Sequence, residues 1–184
     1  MEYLAEVFAL VCRREPCWAP GGELLPFCQR CTGLYVGAAV AAVLYALFRP
    51  RPTSLSLWIH GLLLLLMVPF GYHLVPQNGV LRTLTGQLFA VGLVCYLSLL
   101  PGSRLRDRRK EDQHRSLAYV VCVLGSLVIV QGAVHAGGRV TGAVLAWLGL
   151  VGLIALAALV IANLVLLPPA IWRAVRSARV SVAS

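Results

Sequence analysis

Four of the six cysteines fall within the first 31 residues: Cys12, Cys17, Cys28 and Cys31. The last two form a C-x-x-C in the run Pro26-Phe27-Cys28-Gln29-Arg30-Cys31-Thr32-Gly33, immediately before a long apolar stretch. A helix beginning there would direct its free amides and the positive end of its dipole at these sulfurs, and Arg30 adds a cation beside them. Both effects favour thiolate over thiol, and thiolate is the form that ligates metals and attacks disulfides. C-x-x-C is also half of a common zinc pattern, but no second C-x-x-C follows. Cys12 and Cys17 are separated by Arg13, Arg14, Glu15 and Pro16, a looser spacing. Three uses therefore stand open: metal ligation with zinc as the first choice, a structural disulfide of the kind exported segments carry, and thiol-disulfide exchange by Cys28 and Cys31.

Other polar residues sit where lipid makes them costly. His73, Gln87, Gln131 and His135 lie near the ends of apolar runs, with Asn78 and Arg82 in an adjoining connection. Intramembrane polar groups are functional candidates by default. With the topology given below, they fall at the same membrane face as the cysteines. The expected metal ligands are Cys12, Cys28, Cys31 and His73, with Arg30, Arg82 and Asn78 available to bind an anion or tune thiolate charge. Cys95 and Cys122, inside apolar runs, read as small packing residues. His60 and His114 receive no role.

The elements that must position these groups are membrane helices. The chain has 184 residues, 59% hydrophobic and 12% charged, against about 25% charged in soluble domains. A surface so poor in charge faces lipid. Crossing a hydrocarbon core of about 30 Å takes roughly 20 apolar helical residues. Five runs qualify: 32–48, 55–75, 84–100, 117–136 and 140–167, the last long enough to tilt or to be trimmed by Pro168 and Pro169. None alternates with the period of a strand. The expected fold is all-α: a polytopic bundle of about five transmembrane helices (32–169), preceded by a short Cys-rich extracytoplasmic segment (1–31) and followed by a basic cytoplasmic tail (170–184). Leu4, Phe8, Val11 and Cys12 recur at helical spacing opposite Glu2 and Glu6, so residues 1–12 suit a short amphipathic helix, either in the interface or capping the bundle. The first residues lack the basic start and small-residue cleavage site of a secretory signal, so the first span is expected to direct insertion.

Small residues mark where helices touch: Gly33, Gly37 and Ala41 on the first span, Gly138 and Gly142 at the start of the fifth. Asn163, deep in the last span, is expected to hydrogen-bond a neighbouring helix.

The net charge of +9 does not point to nucleic acid, because the basic residues form short clusters between apolar runs rather than a continuous patch. Lipid is the partner they imply. An N-out arrangement puts eleven Lys and Arg inside: Arg49, Arg51, the six between Arg104 and Arg115, and Arg173, Arg176 and Arg179. It leaves five outside: Arg13, Arg14, Arg30, Arg82 and Arg139. The rule that cytoplasmic loops are the positive ones then gives an extracytoplasmic N-terminus and a cytoplasmic C-terminus in the cell membrane. The function these features suggest is handling of a small ion or hydrophobic small molecule at a thiolate-metal site. The alternatives are a membrane thiol-disulfide oxidoreductase and a non-catalytic scaffold.

Three stretches resemble the DUF2085 family of small predicted multispanning membrane proteins. The family's early Cys-His pair and Pro-x-Cys-x-Arg-Cys-Thr-Gly-x-Tyr-x-Gly are met by Cys12, then Pro26, Cys28, Arg30, Cys31, Thr32, Gly33, Tyr35 and Gly37. A polar motif ending the second span is met by Gly71 and His73. Asn-x-x-Leu-Arg-x-x-Thr-Gly matches Asn78, Leu81, Arg82, Thr85 and Gly86. Arg13 stands where the family has its histidine, and Phe70 where it usually has aspartate. The resemblance spans roughly residues 10 to 95 and implies a compact multispanning protein of undetermined activity.

Overall fold

The computed structural model describes residues 2–10, 12, 25–50, 52–72, 74–76, 78–105 and 113–182. Among these it contains seven helices and no strand: α1 (Glu2–Ala9), α2 (Gln29–Phe48), α3 (Ser54–Leu65), α4 (Met67–Gly71), α5 (Gly79–Leu105), α6 (Gln113–Ala136) and α7 (Arg139–Val182). Five stretches are long and apolar enough to cross a bilayer: Gln29–Phe48, Ser54–Gly71, Gly79–Leu99, Arg115–Ala136 and Arg139–Pro169. The all-α, five-span architecture is therefore the one hydropathy dictates.

Where helix ends differ from expectation, single residues explain it. The second span is broken at Leu66 into α3 and α4, because Pro69 has no N–H to offer the carbonyl of Leu65. α5 starts at Gly79, five residues before the apolar run, because the Asn78 side chain accepts a hydrogen bond from the Leu81 N–H at 2.8 Å. That cap places Arg82 inside the first turns of the helix rather than in a loop. Asn78→Ala should cost about 1 kcal/mol, the usual value of an N-cap, read as a fall in the thermal midpoint of detergent-purified protein. α7 does not end at Pro168 and Pro169 but continues through them to Val182. The prolines leave the carbonyls of Leu164 and Val165 without their usual amide donors. The last helix thus extends well into the segment 170–184 that the sequence assigns to a basic tail.

The centre of the bundle is α2, which packs most extensively on α5, then on α7 and α6, while α3 rests against α5. Glycines permit these approaches. A Cβ on Gly33 would meet the carbonyl oxygen of Thr83, one on Gly86 the carbonyl of Arg30, and one on Gly152 the carbonyl of Tyr35. Backbone lies against backbone at each crossing, which is how membrane helices gain dispersion energy without a hydrophobic drive. The small-residue ridge Gly33-Gly37-Ala41 is buried inside the molecule.

Side-chain polar groups tie the same helices. Asn163 Nδ2 donates to the Leu97 carbonyl on α5 at 2.6 Å, the interhelical bond its depth required. Tyr96 Oη donates to the Leu57 carbonyl on α3 at 2.8 Å. Gln87, fully buried, donates to the Ser126 carbonyl on α6 at 3.2 Å.

α1 packs over one end of the bundle. Leu4 and Phe8 are buried, and Phe8 meets Phe27 edge-on with ring centroids 4.6 Å apart and Tyr35 at 5.4 Å. The edge-on arrangement suits the ring quadrupoles and adds to the area buried. Of the two roles open to an amphipathic α1, capping is the one adopted. Its outer face still carries exposed Tyr3 and Leu10.

Candidate metal site

The aromatic cap fixes the approach of the N-terminal segment to the start of α2. Cys12 follows α1 by three residues, and its N–H donates to the Phe8 carbonyl at 2.7 Å, extending the helical turn. Burial of Leu25 and Phe27 holds the returning chain against the same surface. Cys28 then takes the N-cap position of α2 in an extended conformation. Its carbonyl is held by the Thr32 N–H at 2.9 Å and the Thr32 hydroxyl at 3.1 Å. Cys31 falls one turn on.

These constraints bring three sulfurs together. The Sγ atoms of Cys12, Cys28 and Cys31 all lie within 4.8 Å of one another, and each residue is partly buried. The Cys28 N–H also donates to Cys12 Sγ at 3.4 Å. All three are free thiols. Mutual hydrogen bonding moves the Cys28 thiol well below its ordinary range, to about 5. The largest cause is the Cys31 thiol donating to it. The Cys31 amide, the Cys12 thiol and the Arg30 amide add to the effect, while burial opposes it. Cys28 Sγ makes no capping hydrogen bond of ordinary geometry, so the amide contributions are electrostatic rather than directed. At neutral pH the cluster therefore presents at least one anionic sulfur with two more donors beside it, which is the chemistry a thiophilic cation selects.

Because the shift is downward, Cys28 stays ionised as pH falls until the region of 5, where an ordinary thiol is protonated below about 8.5. In chelator-treated protein, iodoacetamide should therefore modify Cys28 at pH 6 several-fold faster than it modifies Cys122. Peptide mass spectrometry of protein quenched at short times checks this.

The charged neighbours are placed unequally. Arg30 Nη2 donates to the Phe70 carbonyl at 2.7 Å, so the end of α4 is pinned to the start of α2 between the two cysteines of the C-x-x-C. Arg82 lies on α5 with its Nε buried and unpartnered. Asn78 is engaged in capping α5. His73, the expected fourth ligand, and Cys17 lie outside the described residues. His135 is exposed at the end of α6, and Gln131 is partly buried.

One arrangement was not legible in the sequence. His60 is buried, its Nδ1 lies 2.7 Å from the Ser56 carbonyl, and its ring stacks on Tyr119 at 6.4 Å. The i, i+4 spacing of Ser56 and His60 was the available signal for the first contact. Nothing local announced Tyr119. This pair lies in the half of the bundle away from the cysteines.

Comparison with known proteins agrees with this architecture. No solved structure matches the chain. An uncharacterized protein of Methanothermobacter thermautotrophicus is similar to it, 33% identical over 104 residues that cover 50% of this chain and 89% of the relative. Residues 13–96 match the family model described as a predicted membrane protein, DUF2085. The matched stretch runs through Cys28, Cys31 and Arg30 at the head of α2, the Gly33 and Gly86 contacts that seat α2 on α5, and the Asn78 cap. On these grounds the chain belongs to the DUF2085 family of membrane proteins.

Proposed function

We propose that this protein holds a zinc ion in a thiolate site at the extracytoplasmic end of a five-span bundle, with Cys12, Cys28 and Cys31 as ligands and His73 as the fourth. The observation that carries the reading is the convergence of three sulfurs from two separate segments to within 4.8 Å. A tetrahedral zinc with Zn–S bonds of about 2.3 Å sets its sulfurs about 3.8 Å apart, so the cluster needs to close by roughly 1 Å at most. A neutral imidazole suits the remaining vertex. Chain reach allows it: Phe70, three residues before His73, is bonded to Arg30, and three residues extend up to about 10 Å. Arg30 balances the negative charge that three thiolates leave on the complex.

The excess of Lys and Arg on the opposite side supports an extracytoplasmic face for the site. A site there, beside the rings of Phe8, Phe27 and Tyr35, suits exchange of a small ion or a lipid-soluble molecule at the metal.

Zinc should be present at about one equivalent per chain after purification in a detergent buffer without chelator, as read by elemental mass spectrometry. Thiol alkylation before and after reduction should show no Cys28–Cys31 disulfide. Metal-free protein in which that pair opens and recloses would replace zinc binding with thiol-disulfide exchange. Sidedness is a separate measurement: after chelation, a membrane-impermeant maleimide should label Cys28 in intact cells. Labelling confined to lysed cells would reverse the topology while leaving the metal site intact.

A further inference from the structure

The three sulfurs of the cluster are held in place by different means. Cys28 is the N-cap of α2 and Cys31 lies in its first turn, so both ride on one helix. The Thr32 N–H and hydroxyl both donate to the Cys28 carbonyl, which fastens the cap residue to that turn. Cys12 arrives on a separate segment. Its N–H is bonded to the Phe8 carbonyl, and its place depends on Phe8 packing against Phe27 and Tyr35. Cys28 touches both partners: its N–H donates to Cys12 Sγ at 3.4 Å, and its sulfur shares hydrogen bonds with the Cys31 and Cys12 thiols.

All three residues are partly exposed, and all three are free thiols. An accessible thiolate with a second thiol poised beside it is the arrangement that peroxide-sensitive cysteines share. The sulfurs lie within 4.8 Å of one another, and a disulfide closes such a gap to about 2.05 Å. Between Cys28 and Cys31, closure takes side-chain rotation and a small adjustment at the cap residue. A bond to Cys12 would draw one segment of the chain against another. The C-x-x-C pair is therefore the one that oxidation joins.

We propose that the zinc site is a switch operated by hydrogen peroxide, in which oxidation joins Cys28 to Cys31, expels the zinc and frees Cys12. This rests on the zinc-thiolate reading above. Zinc keeps its cysteine ligands deprotonated, so the attacking sulfur is already a thiolate. Cys28 Sγ attacks one peroxide oxygen: an S–O bond forms, the O–O bond breaks and hydroxide leaves. The Cys31 thiolate then attacks Cys28 Sγ, so that the S–S bond forms and the S–O bond breaks with loss of a second hydroxide. Two protons from solvent turn both hydroxides into water. Two thiolates have given up two electrons, one peroxide has taken them, and zinc departs with its charge unchanged. The one thiolate left falls far short of the four ligands that structural zinc takes. Loss of the ion also removes a cross-link between α1 and α2. With eight residues, α1 is shorter than the roughly 12–15 that a helix needs to persist alone, and it would then rest on the burial of Leu4 and Phe8.

The test takes the full-length protein in detergent, assays its zinc, and then titrates it with hydrogen peroxide beside a chromogenic zinc indicator. Zinc should be released in proportion to the peroxide consumed, one ion for each molecule reduced. Peptide mass spectrometry of the product should find Cys28 bonded to Cys31 and Cys12 open to alkylation. Cys122, partly buried on α6, is the internal reference, and Cys28 should be oxidised roughly tenfold faster or more. A thiol reductant followed by zinc should restore the metal. Zinc retained through excess peroxide would overturn the switch and leave the metal site standing. So would zinc lost with Cys28 bonded to any other cysteine, or with its sulfur oxidised and unbonded. Protein that holds no zinc before peroxide is added would overturn both readings at the first measurement.

Discussion

Serine in place of Cys28 is expected to strip the purified protein of its zinc, with an apparent affinity more than a hundredfold lower, roughly beyond what loss of an outer-shell contact costs. A serine hydroxyl stays protonated at neutral pH and binds zinc poorly, so the change leaves two of the three sulfurs to hold the ion. A ligand present at about a thousand times its dissociation constant stabilises the folded state by about 4 kcal/mol. Chelator should therefore lower the thermal midpoint of the wild type and leave that of Cys28→Ser unmoved. Cys95→Ser is the control, because Cys95 is buried in the packing of α5 away from the cluster. It should keep both its metal and its response to chelator. Equal zinc in wild type and Cys28→Ser would remove the thiolate site altogether.

A single methyl group at Gly33 or Gly152 is expected to cost about 3 kcal/mol or more, at the upper end of what overpacking does. The reason is the identity of the obstacle. The new Cβ would meet the carbonyl of Thr83 in one case and of Tyr35 in the other, and backbone has no rotamer to escape into. Either α2 separates from its neighbour along its length or the crossing shifts. Gly132→Ala supplies the contrast. A Cβ there meets nothing within 4 Å, so the change should be neutral or stabilise by up to about 1 kcal/mol through helix propensity. Unfolding in mixed micelles, followed by circular dichroism, would rank the three. If Gly33→Ala matched Gly132→Ala, the α2–α5 crossing would have to be looser than described.

Much of this architecture is written in the order of residues. Five spans follow from apolar length alone, and Asn163 announces its interhelical bond because an amide in hydrocarbon has few alternatives. The C-x-x-C at the head of α2 is equally plain. Cys12 is legible only as a candidate, since its approach depends on Phe8 and Phe27 closing against Tyr35, and three rings from three segments leave no periodic trace. The helix ends were harder. Apolar runs cannot register that Asn78 starts α5 early or that Pro69 breaks the second span, and they suggest a stop at Pro168 and Pro169 where the last helix continues. His60 escaped a role because its stacking partner, Tyr119, is on another helix 59 positions along the chain.

The family motifs gain physical content from the same geometry. In Cys-x-Arg-Cys-Thr-Gly, the sulfurs form the cluster, Arg30 fastens α4, Thr32 closes the N-terminus of α2 and Gly33 admits α5. In Asn-x-x-Leu-Arg-x-x-Thr-Gly, Asn78 caps α5, Thr85 bonds back to the Leu81 carbonyl at 2.9 Å, and Gly86 admits α2. The two motifs are the two sides of one helix crossing.

That crossing joins the first span to the third, and it bears on how the chain is made. During synthesis α2 leaves the ribosome with its glycine face bare, and α3 cannot cover it, because α3 lies against α5 instead. Some 40 further residues must emerge before Gly86 and its neighbours are available. Until the third span arrives, the face of the first that carries Gly33 and Gly37 therefore lacks the helix it packs against in the finished fold.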